Sequence, residues 1–196
     1  MTKKALEAYP QMGSDIQSIL ISEKQIQHRI KELGAQISQD YENLNPLIIG
    51  VLKGVLFFMS DLLMNITIPV EVDFMSVSRY QAEARYKGVV RMVKDLDILV
   101  SGRHVIFIED VIDTGLTCNY LIRLLRDRQP TSLKVCAMFN KPHNRLIDIK
   151  IDYKGFDLPD RFVVGYGLDY RERYRNLPFI GLLKAEVLQR ATNELP

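Results

Sequence analysis

The spacing of apolar residues changes period several times along this chain, and each change predicts a new element. Between residues 26 and 37, four apolar residues recur at helical spacing. Ser22, followed by Gln25 three residues later, has the pattern of a capping box, so we expect this helix to begin near Ser22. The apolar stretch that follows Gly54 and runs to Leu63 predicts a second helix.

Short apolar runs between the helical segments predict strands. Residues 47–51 and 105–108 are uninterrupted apolar runs, which are typical of strands covered on both faces. Four further strands are predicted at 70–78, 89–93, 133–139 and 162–166. The alternation of helices and strands predicts an α/β fold.

The segment from residue 105 to residue 117 has the most informative pattern in the chain. Its apolar run ends in two adjacent carboxylates, Glu109 and Asp110, and a third, Asp113, follows. A small hydroxyl-rich turn, residues 114–117, comes next, and helical spacing then continues until Pro130. This order predicts polar groups at the carboxyl end of a strand, which is where open α/β sheets bind ligands.

The turn and the acids together indicate the kind of ligand. Backbone N–H groups around Gly115 and at the start of the helix favour an anion, most naturally a phosphate. A phosphate site by itself has no need of carboxylates, so Glu109 and Asp110 suggest sugar hydroxyls or a metal ion, and the unit fits a phosphorylated sugar. The alternative is that the two acids form a solvated strand end and that Thr114 only caps the helix.

Length and composition agree with a single enzyme domain spanning residues 1–196. The chain has 47% hydrophobic residues, and its net charge of +2 does not favour nucleic-acid binding. The sequence shows no signal-peptide core and no apolar run of membrane length, so we expect a cytoplasmic protein that binds no membrane. Cys118 and Cys136 are predicted to be buried thiols, and the three histidines have no zinc-ligand spacing.

Two more segments follow predicted strands. A cation and a glycine in Leu52-Lys53-Gly54 suit a diphosphate, although an ordinary turn with a solvated lysine is an equal alternative. Lys141 places an ammonium group at the end of another strand. The polar segment 79–88 has no clear period and is either a long hairpin connection or a mobile lid.

The 105–117 segment resembles the phosphoribosyl-pyrophosphate (PRPP) motif of phosphoribosyltransferases. With residues 52–54, Lys141 and the segment from 160 to Arg175, the chain resembles bacterial members of the hypoxanthine–guanine phosphoribosyltransferase family from about residue 47 to 183. The resemblance implies the type I phosphoribosyltransferase fold: a central, mainly parallel sheet flanked by helices, a small hood subdomain and a mobile loop. In the implied fold, the core spans about residues 40–170, and the N-terminal and C-terminal segments form the hood.

The resemblance also implies an activity. This is purine salvage, by transfer of the 5-phosphoribosyl group from PRPP to N9 of hypoxanthine or guanine, giving IMP or GMP and diphosphate. It further implies Mg²⁺ as cofactor and a homo-oligomer, either a dimer or a tetramer.

On the phosphoribosyl side, the resemblance assigns Glu109 and Asp110 to the ribose hydroxyls and to the metal. Asp113 corresponds to the general acid or base that faces purine N7. The residues expected to bind the 5′-phosphate through backbone N–H groups and hydroxyls are Asp113, Thr114, Gly115, Leu116 and Thr117.

On the purine side, the resemblance implies that Lys141 donates to the 6-oxo oxygen, that Phe162 stacks on the base and that the Val163 backbone recognises its edge. Asp169 corresponds to a further Mg²⁺-binding aspartate beside the purine. The residues implied for the diphosphate are Leu52, Lys53, Gly54 and Arg175, and the Leu52–Lys53 peptide is cis in many relatives.

One departure from the family pattern lies in the expected mobile loop. Relatives carry Ser-Tyr where this chain has Arg79-Tyr80, and arginine cannot fill the space of a small hydroxyl.

Other functional classes are a regulatory nucleotide-binding protein of the same fold, or a phosphoribosyltransferase for adenine, uracil or xanthine. The first would need a basic surface or a DNA-binding module, and Lys141 with Phe162 and Val163 favours a 6-oxopurine over adenine or uracil.

Overall fold

The structure is a computed structural model that describes the backbone of residues 2–79 and 90–190 and the side chains of 5–78 and 91–189. It divides into two compact units, one of residues 30–160 and one of residues 1–29 with 161–196. No helix in the described ranges is long and apolar enough to span a membrane.

The strands of the unit of residues 30–160 are β2 (Leu47–Leu52), β3 (Glu71–Arg79), β4 (Val90–Lys94), β5 (His104–Ile112), β6 (Ser132–Asn140) and β7 (Tyr153–Asp157). They form a six-stranded sheet, counted over the described residues, with the order β4-β3-β2-β5-β6-β7. All neighbouring strands are parallel except β3 and β4, which are antiparallel. The helices after β2 and β5 are α4 (Leu56–Leu63) and α5 (Leu116–Asp127), and a 3₁₀ turn covers Pro142–Asn144.

The core of this unit lies between the sheet and the apolar face of α5. Val105 and Phe107 of β5 pack in one cluster with Leu121 and Leu125 of α5. Both faces of β2 and β5 are covered, which explains why their sequences are continuous apolar runs.

The predicted end of β5 was wrong. Glu109 and Asp110 do not follow the strand but belong to it, because β5 continues to Ile112. The parallel ladder with β6 continues past the acids, pairing Val111 with Phe139 and Ile112 with Asn140. Pairing with a neighbour outweighs the low strand propensity of acidic residues.

The strands of the second unit are β1 (Ile16–Ile21), β8 (Val163–Val164) and β9 (Ile180–Leu183), and its short helices are α1 (Thr2–Glu7), α2 (Pro10–Gly13) and α6 (Ala185–Arg190). The strands form a three-stranded antiparallel sheet, over the residues described, in the order β1-β9-β8. The strand predicted at 162–166 is only two residues long, because Gly165 and Tyr166 have positive φ angles of 103° and 44°. Such angles are incompatible with an extended strand.

The long helix α3 (Glu23–Asp40) crosses the division between the units, which falls between Arg29 and Ile30. Its predicted start is confirmed: the Gln25 side chain accepts from the Ser22 N–H at 2.9 Å, and Ser22 Oγ accepts from the Gln25 N–H at 3.4 Å. The predicted burial of Cys118 and Cys136 as free thiols is also confirmed.

Candidate active site

A cavity of about 280 Å³ opens at the carboxyl end of β5. Most of the acid-and-hydroxyl segment singled out in the sequence lines it. The lining residues are Val51, Val77, Glu109, Asp110, Val111, Ile112, Asp113, Thr114, Gly115, Thr117 and Cys118. Leu116 is absent from this lining and is about half exposed as the first residue of α5.

The turn between β5 and α5 has the geometry of an anion site. Gly115 is the N-cap residue of α5 and has a φ of 84°, a left-handed conformation that side chains disfavour. A Cβ at this position would lie 2.6 Å from the carbonyl oxygen of Ile147. Since the first N–H groups of a helix have no intrahelical partner, the twelve-residue α5 directs its donors toward this turn.

Thr114 does not cap α5. The alternative in which Thr114 serves only as a helix cap beside two solvated acids requires that it does. The N-cap position is occupied by Gly115, without a side-chain cap, and Thr114 Oγ1 receives only a long contact of 3.4 Å from the Leu116 N–H. The Thr114 carbonyl instead accepts from the N–H groups of Leu146 at 2.9 Å and Ile147 at 3.2 Å. The segment after β6 therefore holds the turn in place.

The two adjacent acids have different environments. Glu109 is only 7% exposed, and burial, followed by the negative charge of Asp110, raises its pKa well above the ordinary value. Asp110 Oδ1 accepts from the Val111 N–H at 2.7 Å. A bound cation, or hydroxyl groups that donate to Glu109, would compensate its buried charge.

Gly54 is the reason that Asp110 can occupy its position. A Cβ on Gly54 would lie 1.7 Å from Asp110 Oδ2, so no other residue fits without displacing that carboxylate. The Leu52–Lys53 peptide bond just before it is cis. The structure thus places the 52–54 segment beside the acid pair. The sequence alone did not establish this proximity.

Asp113 presents an oxygen that lacks a partner. Its Oδ1 atom is buried and accepts no hydrogen bond from any described residue. Buried carboxylate oxygens are normally satisfied, so an unsatisfied one that faces a cavity indicates an acceptor for a ligand.

Lys141 lies beside the same turn. Its N–H donates to the Ile112 carbonyl at 3.0 Å, and the residue directly precedes the 3₁₀ turn. Arg145 was not identified from the sequence, where no pattern singles it out. Its Nη2 atom donates to the Ile112 carbonyl at 3.4 Å and to the Asn140 side chain.

The remaining predicted residues belong to the other unit. Val163 is buried in β8 and pairs with Leu182 of β9. Phe162 is 44% exposed and contacts the edge of Tyr170, with ring centroids 5.3 Å apart. An exposed ring held by a second aromatic ring can serve as a stacking platform.

Asp169 and Arg175 form an ion pair of 2.9 Å. Asp169 also accepts from the Glu172 N–H at 2.9 Å, and Arg175 Nη1 donates to the Gly167 carbonyl at 2.7 Å. The Nε atom of Arg175 is buried and has no partner within the described ranges.

Two predicted features are not resolved by the geometry. The Arg79 side chain and Tyr80, and with them the proposed mobile loop, lie outside the described residues. No group of three or more histidine, cysteine, aspartate or glutamate residues suited to a metal occurs among the described residues, 2–79 and 90–190.

A parallel sheet with a helix N-terminus and an acid pair near the carboxyl end of a central strand is the arrangement with which α/β proteins bind phosphate-bearing ligands. Residues 18–171 match the family described as phosphoribosyl transferase domain. The chain belongs to this phosphoribosyl transferase family.

Individual relatives agree with that assignment. The hypoxanthine-guanine phosphoribosyltransferase of Bacillus subtilis (strain 168) is 52% identical over 178 residues, which cover 91% of this chain and 99% of the relative. That of Streptococcus agalactiae serotype V is 49% identical over 176 residues, covering 90% and 98%. The crystal structure of a hypoxanthine phosphoribosyltransferase from Staphylococcus aureus superposes with a TM-score of 0.85 at 44% identity, covering 90% and 96%.

The predicted family and type I fold, with its mainly parallel sheet, are therefore confirmed. The prediction that the chain is an enzyme of the hypoxanthine–guanine phosphoribosyltransferase family is confirmed as well.

Proposed function

We propose that this protein transfers the 5-phosphoribosyl group of PRPP to N9 of hypoxanthine or guanine, giving IMP or GMP and diphosphate. The observation that carries the proposal is the unsatisfied Oδ1 atom of Asp113 in a cavity shared with the acid pair and the Gly115 turn. A phosphate, a ribose and a base nitrogen each have a suitable group in this one cavity.

The phosphoribosyl group is assigned to the unit of residues 30–160. The backbone of residues 113–117 and the hydroxyls of Thr114 and Thr117 bind the 5′-phosphate, because the start of α5 attracts anions. Glu109 and Asp110 accept from the ribose 2′- and 3′-hydroxyls, and ionised acceptors make these bonds stronger than neutral ones.

The donor set also fits Mg²⁺. This cation is usually bound by one or two carboxylates together with substrate phosphate oxygens and water. Glu109 and Asp110 provide adjacent carboxylates, and because burial and then the charge of Asp110 raise the pKa of Glu109, a bound cation would favour its ionised form. Glu109 and Asp110 would hold the metal, which would supply positive charge to the diphosphate when bound with PRPP; the family resemblance assigns Asp169 as a further Mg²⁺-binding residue.

The purine is recognised by residues from both parts of the sequence. Lys141 donates to the 6-oxo oxygen, Phe162 stacks on the ring and the backbone of Val163 binds its edge. The exposed Phe162 ring beside Tyr170 supports the stacking role. Arg175 and the 52–54 segment bind the diphosphate, with Lys53 as the cation and Gly54 making room for Asp110.

The transfer breaks the bond between the anomeric carbon and the diphosphate oxygen and forms the bond from that carbon to purine N9. The anomeric carbon passes through a positively charged, oxocarbenium-like state, which nearby carboxylates stabilise electrostatically. Asp113, assigned to N7, acts as general base and accepts the N7 proton that the purine loses as N9 bonds to the anomeric carbon.

A product assay tests the proposal. The protein is incubated with PRPP, Mg²⁺ and each of hypoxanthine, guanine, xanthine, adenine and uracil, and nucleotides are separated and quantified. We expect IMP and GMP but no AMP, because the amino group of adenine would face the Lys141 donor and leave both unpaired. Turnover of xanthine would indicate the xanthine-preferring alternative, and efficient turnover of adenine would contradict the role of Lys141.

The same assay separates an enzyme from a regulatory protein of this fold. A regulatory protein would bind PRPP, detected by calorimetry, but form no nucleotide with any base.

We further infer a cytoplasmic homo-oligomer, a dimer or a tetramer, from the family resemblance; light scattering after size exclusion gives the subunit number, and a monomeric mass would contradict that inference.

A further inference from the structure

We propose that Arg145 is a positioning residue for the 5′-phosphate of the substrate, acting through the backbone of the 112–115 turn. The inference deepens the proposed function and rests on it. Arg145 belongs to the segment that follows β6 and was not among the residues that the sequence pattern identified.

The first argument is that Arg145 contacts the backbone on both sides of Asp113. Its Nη2 atom donates a long hydrogen bond of 3.4 Å to the carbonyl of Ile112, the residue that precedes Asp113. Its Cδ atom lies 3.3 Å from where a Cβ of Gly115 would be. The side chain therefore runs along the turn and contacts both its start and its left-handed residue.

The second argument is that the guanidinium is itself held in a fixed orientation. Nη2 also donates to Asn140 Oδ1, and Asn140 Nδ2 donates to Asp157 Oδ1 at 2.6 Å. The other oxygen of Asp157 accepts from Lys154 at 2.7 Å. A chain of polar side chains across β6 and β7 thus fixes the position of Arg145, as a residue that positions a binding loop requires.

The third argument is that one end of the Arg145 guanidinium lacks a partner. Its Nη1 atom is buried and has no hydrogen-bond partner among the described residues. The pKa of the neighbouring Cys118 thiol is raised, mainly by burial and then by Glu109, while Arg145 acts in the opposite direction. Arg145 therefore adds a positive field at the start of α5, where a phosphate dianion would be stabilised.

The test compares ligands with and without the 5′-phosphate. Calorimetry gives the Kd of GMP and of guanosine for the parent, Arg145→Gln, Arg145→Lys and the control Arg123→Gln, an exposed arginine on α5. We expect Arg145→Gln to weaken GMP roughly tenfold to hundredfold while the Kd of guanosine changes little. Arg145→Lys keeps the charge without the forked geometry and should fall between parent and Arg145→Gln, and Arg123→Gln should match the parent.

Steady-state kinetics gives an independent readout: the KM for PRPP should rise in Arg145→Gln while the KM for the purine is kept. An unchanged ratio of the two Kd values in a folded Arg145→Gln, or equal weakening of GMP and guanosine, would overturn the proposal. If Arg145→Gln does not fold, the same ratio in Arg145→Lys decides. Failure of the parent to form nucleotide would instead reject the proposed function, so the two failures are distinguishable.

Discussion

Asp113 is the residue whose environment most directly predicts a catalytic effect. The buried Oδ1 atom of Asp113 has no hydrogen-bond partner among the described residues. Asp113→Asn should therefore remove proton transfer to this side chain but keep the shape of the turn. We expect kcat to fall by roughly 10²–10⁴-fold with little change in the KM for PRPP. The measurement is steady-state kinetics of IMP formation, with Asp127→Asn, an exposed position at the end of α5, as the control. Near-normal turnover would leave Asp113 with only a structural role in the turn.

Glu109 should show a conflict between stability and function. Its pKa is raised by burial, so the folded state is favoured at low pH, and that contribution is lost as pH rises through the raised pKa. Glu109→Gln removes this loss, so the ligand-free variant should exceed the parent in Tm by an amount that grows with pH. Its kcat/KM for PRPP should nevertheless fall, by an amount that corresponds to a loss of about 1.5–3 kcal/mol in transition-state stabilisation, because an amide makes a weaker hydrogen bond to ribose than a carboxylate does.

Thermal unfolding across a pH series, followed by kinetics at neutral pH, tests both parts. A Tm difference that does not depend on pH would argue against a buried, proton-binding Glu109. An unchanged kcat/KM for PRPP would argue against its contact with ribose.

At the scale of elements, one buried side chain ties the segment after β4 to β3. Asp73 Oδ2 accepts from the N–H groups of Asp97 at 2.7 Å and Ile98 at 3.0 Å. Its Oδ1 accepts from the Phe74 N–H at 2.7 Å and contacts Lys94 at 3.4 Å. Burial alone would raise the pKa of Asp73, but the three backbone donors and Lys94 outweigh it, so the pKa is lowered.

Asp73→Asn should therefore destabilise the protein by roughly 1.5–3 kcal/mol at neutral pH, since an amide group cannot accept at both ends. The lowered pKa means that the stabilisation is present above the ordinary pKa of an aspartate and is lost as pH falls through the folded value. Urea unfolding of parent and variant at several pH values measures both effects. A stability difference that does not shrink as the pH falls below the ordinary pKa of an aspartate would contradict this account.

Elements also show where sequence patterns are informative and where they are not. The helices at 23–40 and 116–127 have strong apolar periodicity and a capping box or a glycine turn, and the pattern located them. β1 and β9 were missed, because each owes its conformation to pairing with the other rather than to its own composition. The extension of β5 through Glu109 and Asp110 likewise depends on its ladder with β6.

At the scale of the whole molecule, binding should appear as stability. A ligand that binds only the folded state at 100 times its Kd stabilises it by about 2.7 kcal/mol. For a chain of this length, that corresponds to a Tm increase of roughly 5–11 °C. We expect this increase with PRPP and Mg²⁺ together and a much smaller one when EDTA removes the metal.

The matched variant is Asp110→Asn, which should show a smaller Tm increase with PRPP and Mg²⁺, measured from its own Tm without ligand, than the parent does. An equal increase with and without EDTA would reject Mg²⁺ as part of the PRPP complex. No increase under either condition would reject PRPP as a ligand.

The sequence by itself determined the α/β class and located the acid pair Glu109 and Asp110 and the glycine turn before α5. These are local properties: a strand, an acid pair and a glycine before a helix are adjacent in the chain, and their order is legible without any distant contact. Family membership followed from the same motifs and is confirmed.

Only the tertiary structure decided which distant residues meet these motifs. Gly54 lies against Asp110, and Arg145 contacts the Ile112 carbonyl, although each pair is far apart in sequence. The burial of Glu109 likewise depends on residues that are distant in sequence. Such contacts depend on strand order and register, which place three strand ends at one edge of the sheet. No local pattern encodes that register, because it results from the packing of the sheet as a whole.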